Sequence, residues 1–116
     1  MTARLQRALG GVTRVRGVRG ALIVAREDGL VVADALMEDI RGNAVAALAA
    51  SLTRRIGEAA RASGVGTPQF LHLEATGGAL LAAAAGDEML VVAVTEVGVN
   101  VGLVRLEMLR AAEAVQ

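Results

Sequence analysis

Two periodicities alternate along this chain, and their order sets the expected fold. From Asp39 to Ser63 (DIRGNAVAALAASLTRRIGEAARAS) apolar residues recur at helical spacing, the longest such stretch in the sequence. At about 100° per residue, Val45, Leu48, Leu52, Ile56 and Ala59 fall in one arc, which predicts the side that lies on a core. Beside it runs a strip of small side chains, Ala46, Ala50, Thr53 and Gly57; Ser51, Arg54, Arg55, Glu58 and Arg61 make up the polar remainder. Glycine inside a helix costs about 0.5–1 kcal/mol relative to alanine, so Gly57 predicts the close approach of another backbone. The small strip is therefore expected to pack on a second copy of the chain. On that expectation Ala50→Arg abolishes association and leaves the subunit folded.

The segments around the helix fill in the rest. Thr2–Leu9 reads as a short helix capped by Thr2 and stopped by Gly10-Gly11, followed by an extended lead-in that carries Arg14, Arg16 and Arg19. Ala21–Ala25 and Leu30–Ala33 are β-branched runs separated by Arg26-Glu27-Asp28-Gly29, a hairpin signal. Both runs are nearly continuous, which predicts a sheet covered on both faces. Asp39 is expected to cap the long helix, and Ser63–Pro68 to form a loop.

Phe70–Ala75 alternates, with Leu71, Leu73 and Ala75 on one side and Phe70, His72 and Glu74 on the other. That predicts an edge strand, in which Phe70, Leu71, His72 and Leu73 pair with a strand of the second copy. Ala79–Ala85 and Met89–Thr95 read as buried strands completing a meander. Asn100 caps a last helix to Val115 whose core stripe is Val101, Val104, Met108, Ala111 and Val115. Leu103 and Leu106 lie off that stripe and are expected against the first helix; Arg110 is expected to pair with Glu113. The fold class is thus α/β (α+β), ordered α-β-β-α-β-β-β-α, with a five-stranded antiparallel sheet between helices, one domain over residues 1–116.

Composition narrows the chemistry. Hydrophobic residues make up 54 % but aromatics 1 %, so the core is built from small aliphatics around 14 glycines and a single Phe70. Acidic and basic residues balance at 12 each, which gives no bulk field toward nucleic acid or membrane. Every basic residue is arginine and cysteine is absent, which excludes Schiff-base lysines, the P-loop lysine, disulfides and thiolate metal sites. Arginines interrupt the N-terminal residues, where a leader would carry an apolar run of about 7–15 residues. The expected location is the cytoplasm.

No catalytic constellation stands out. His72 is the only histidine, with Glu74 on the same side of its strand, and Ser51 and Ser63 belong to the long helix. A solvated or interface histidine fits better than a general base, and one histidine with scattered carboxylates is not a metal set. Gly64-x-Gly66 lacks the strand and helix that frame a dinucleotide fingerprint. No cofactor and no metal are expected, and the chain reads as a non-enzyme.

Two stretches carry a resemblance across most of the chain. Gly20-Ala21-Leu22-Ile23-Val24 with Asp28-Gly29-Leu30-Val31 is one; Asn100-x-Gly102-Leu103-x-Arg105-Leu106 is the other. In register with the helix between them, they resemble the Roadblock/dynein light-chain family, whose architecture is profilin- and longin-like. The resemblance implies a homodimer with edge strands joined into one sheet and long helices paired across a two-fold axis. It implies regulation or scaffolding of Ras-like small GTPases, an activating role in the bacterial MglB type, and docking of the GTPase around the paired helices. The chain ends at Gln116, directly after the last helix, which favours activation over nucleotide exchange.

The expected function is therefore a homodimer that binds a Ras-like small GTPase and modulates its nucleotide cycle, with Arg54, Glu58 and Arg61 on the partner-facing rim. A solvated helix face is the plainer reading of those arginines. The alternative is a structural adaptor in a signalling or motility complex. A small-molecule sensor is disfavoured by dense aliphatic packing and the lack of converging polar groups.

Overall fold

Helices lie on both faces of one sheet, and the split of aliphatic residues between those faces decides where the chain can meet a partner. The computed structural model describes residues 2–116; the side chain of Thr2, expected to cap the first helix, lies outside that description. The elements are α1 (Thr2–Thr13), β1 (Val18–Ala25), β2 (Val31–Leu36), α2 (Gly42–Ala62), β3 (Phe70–Ala75), β4 (Gly78–Ala85), β5 (Met89–Thr95) and α3 (Val101–Val115). The sheet is antiparallel throughout, in the order β2-β1-β5-β4-β3, so β2 and β3 are its edges. The expected element order and sheet hold.

Period-two alternation sends neighbouring side chains into two separate cores. Ile23, Leu81 and Val91 join Leu9, Val12, Val104 and Met108 under α1 and α3. Leu22, Val24, Leu90 and Val92 point the other way, against Ala46, Ala49 and Ala50 of α2. The continuous apolar run of β1 is thus explained, because both of its faces are covered; the Leu30–Ala33 run, expected to be covered likewise, lies at a sheet edge with Leu30 and Val32 exposed.

Several local expectations give way to tertiary packing. Gly10-Gly11 does not stop α1, which runs to Thr13. Continuing the helix puts the fully buried Val12 one turn beyond Leu9, and that burial offsets two glycines. Asp39 does not cap α2; its carboxylate accepts from the Arg19 guanidinium, and the helix starts at Gly42 after Arg41 with no side-chain cap. Asn100 does cap α3, its side chain accepting from the Leu103 amide at 3.0 Å. Leu103 and Leu106 stay exposed rather than sealing α3 against α1. Arg110 pairs with Glu107 at 3.1 Å instead of Glu113.

The largest correction concerns α2. Ala46, Ala50, Thr53 and Gly57, expected to face a second copy, are buried within the chain, Ala46 and Ala50 against its own sheet. Leu48, Ile56 and Ala59, expected on the core, are exposed, and Val45 and Leu52 are half-buried. The sheet surface under α2 already carries large side chains, so the helix fits closely only by presenting small ones. The turn at Gly29 shows how close it sits: a Cβ there would lie 2.9 Å from the Ala47 Cα, and the residue has φ 72°. At Gly57 no other backbone comes close: a Cβ there would meet only the Arg61 side chain, with Nη1 at 3.3 Å.

Candidate functional site

With its small side on the sheet, α2 turns its bulky side outward. Leu48 is 70 % exposed and Ile56 39 %, and Leu52 sits between them one turn from each. Exposed Leu48 and Ile56 with the half-buried Leu52 between them, at i, i+4, i+8 on a single helix, form a continuous apolar ridge.

The sheet extends this ridge. α2 lies chiefly over β1, β2 and β5, so the same face of β3 and β4 is left partly open. Leu71 and Leu80 are only half-buried there, and Leu73 is 46 % exposed. A shallow groove between Leu52 and Thr53 of α2 and Leu71, Leu73 and Leu80 of the sheet joins helix ridge and strand into one apolar band. It ends at the outer edge of β3, whose other side pairs with β4 from Phe70↔Ala83 to Ala75↔Gly78. The edge placement expected for Phe70–Leu73 is therefore present, and Leu71 and Leu73 share a face with the α2 ridge. Phe70 and His72 point to the opposite face, where the Arg105 guanidinium stands 5.1 Å from the Phe70 ring centre and ties α3 to the edge strand.

The polar residues singled out on α2 separate. Arg54 and Arg61 border a cleft at the C-terminal half of the helix, together with Arg26 from the β1–β2 turn. Glu58 is exposed on the helix and does not line that cleft. Sequence periodicity alone could not bring Arg26 to this place, because the hairpin turn and the helix meet only through the fold. His72 and Glu74 border a separate groove with Glu96 and Val99. Among the described residues no group of three or more histidines, cysteines or carboxylates could hold a metal ion, and no helix is long and apolar enough to cross a membrane.

Comparison with known proteins follows the same fold. The Roadblock/LC7 domain family model matches residues 5–95. Over 112 residues the chain is 33 % identical to the uncharacterized protein MJ1340 of Methanocaldococcus jannaschii, covering 97 % of this chain and 96 % of that one. Among solved structures it is similar to an MglB with tetrameric arrangement, at 27 % identity and TM-score 0.89, covering 97 % of this chain and 85 % of the other. It is also similar to the gliding protein MglB from Thermus thermophilus, at 26 % identity and TM-score 0.87 over 97 % of this chain and 86 % of that one.

Proposed function

The chain belongs to the Roadblock/LC7 domain family, and on that premise we propose that it is a homodimeric regulator that binds a Ras-like small GTPase and modulates its nucleotide cycle. The observation that carries the dimer is the apolar band of Leu48, Leu52, Ile56, Leu71 and Leu73, which runs into an unpaired strand edge. Each large aliphatic side chain taken out of water contributes about 1.5–3 kcal/mol. Two copies related by a two-fold axis bury this band against itself, a self-complementary contact. The edge strands Phe70–Leu73 pair across the same axis and remove the open edge. A tetrameric arrangement in a similar MglB supports self-association as the working state.

The GTPase docks on the rim beside the paired helices, where Arg54, Glu58 and Arg61 are exposed. Regulation is by unequal affinity: only a surface that fits one nucleotide-dependent conformation better than the other shifts the GTPase between them. The likeness to MglB favours acceleration of hydrolysis over exchange. This chain supplies binding energy, and the partner supplies the chemistry.

The test is multiple-turnover GTP hydrolysis by a Ras-like GTPase from the same organism, with and without the protein. We expect a rise of at least about tenfold, equivalent to about 1.4 kcal/mol off the barrier. Arg54→Glu should abolish that rise. A complex that forms while turnover stays unchanged would assign the protein to the adaptor role instead.

A further inference from the structure

The cleft at the C-terminal half of α2 joins Arg54 and Arg61, which the GTPase reading places on its rim, to groups that reading does not use. It has a volume of about 230 Å³ and lies between α2, the tips of two hairpins and the loop at Thr67-Pro68. At its floor is Thr53, 7 % exposed, whose hydroxyl oxygen is buried with no hydrogen-bond partner. A threonine in a helix ordinarily gives its hydroxyl proton to the carbonyl one turn back; here that bond is absent. An unpaired buried hydroxyl costs about 1–3 kcal/mol.

Three guanidiniums reach the same cleft. Arg61 folds back along its own helix until its head group lies over Gly57, with Nη1 3.3 Å from where a glycine Cβ would be. Arg26 is held from the opposite wall. Its amide donates to the Glu88 carbonyl at 2.9 Å and its Nη1 to the Gly86 carbonyl at 3.2 Å, which ties the two hairpin tips together and leaves the other guanidinium donors free. Arg54 closes the rim. The carboxylates Glu27 and Asp87 also line the cleft, yet none of its arginines forms an ion pair with them among the described residues.

From these features we infer that the cleft is a binding site for a small phosphomonoester. Arg26, Arg54 and Arg61 supply the planar donors suited to phosphoryl oxygens. Ala50 and Leu90 form an apolar floor. Glu27 and Asp87 accept from hydroxyls on the ligand's organic part, which accounts for carboxylates beside an anion site. The volume suits a phosphoryl group with a short carbon body, not a nucleotide. The converging polar groups that sequence reading found missing are here, contributed by elements far apart in the chain.

The experiment is titration of the ¹⁵N-labelled protein with glycerol 3-phosphate, with inorganic phosphate in a parallel arm and chloride holding ionic strength constant. Saturable shifts at the Ala50, Thr53 and Gly57 amides are expected at millimolar or lower ligand. Arg61→Ala and Arg26→Ala should each weaken binding by about tenfold or more, the loss of one charge-assisted contact. No saturable shift, or the same titration in the arginine variants, overturns the site. Equal affinity for inorganic phosphate and the ester overturns the organic part and leaves free phosphate as the ligand.

Discussion

At the scale of single residues, the structure separates side chains that hold the fold from those that do not. Thr53 carries a buried hydroxyl with no partner and does little for the fold. Replacing it by valine keeps the shape and removes the unpaired hydroxyl, so Thr53→Val should raise unfolding free energy by about 1 kcal/mol in the absence of ligand, measured by urea denaturation. Gly29 belongs to the first. Its positive φ and the Ala47 Cα at 2.9 Å from a would-be Cβ combine backbone strain with a clash, so Gly29→Ala should cost about 2 kcal/mol or more. Gly78 is more constrained still: a Cβ would sit 1.9 Å from the Thr95 carbonyl oxygen, and alanine there should prevent β4 from pairing with β5. The Asn100 cap is an ordinary one, and Asn100→Ala should cost about 1 kcal/mol in the same denaturation experiment.

At the scale of elements, the reversal of α2 changes what its mutations do. Ala50 lies 3 % exposed on the sheet, so Ala50→Arg should unfold the subunit rather than split a dimer. Leu48→Arg adds charge to a side chain already in water within one subunit and should leave that subunit folded, as judged by far-ultraviolet circular dichroism. Sequence periodicity locates α2, the strands and the Asn100 cap because those rest on local spacing and chemistry. It misassigns the two apolar sides of α2 because both are apolar, and ranking them by size assumes that bulk goes to the core. The choice depends on the facing surface, where Leu22, Val24, Leu90 and Val92 already fill the space and leave room only for alanine. The end of α1 escapes for a related reason: the glycine pair is a local stop signal, and Val12 beyond it is buried by contacts distant in sequence. The arginine cleft is out of reach entirely, since Arg26 and Arg61 meet only after the hairpin folds over the helix.

At the scale of the whole molecule, the two faces of the sheet have different tasks. The face under α1 and α3 is sealed by Leu9, Val12, Val104 and Met108 and forms the stable body of the subunit. The other face is finished by α2 only in part, and the uncovered remainder is continuous from Leu48 to the edge of β3. A subunit left alone would expose this band to water and an open strand edge to aggregation. In the proposed dimer both are covered, and the rim residues Arg54, Glu58 and Arg61 stand on either side of the two-fold axis, within reach of one GTPase. The central claim is that the outward ridge of α2, and not its small strip, joins the copies. Size-exclusion chromatography with multi-angle light scattering on the wild type and on Leu48→Arg/Ile56→Arg tests it most directly. The account predicts a dimer of twice the 11.8 kDa chain mass for the wild type and a folded monomer for the variant; a variant that remains dimeric, or a monomeric wild type, would contradict it.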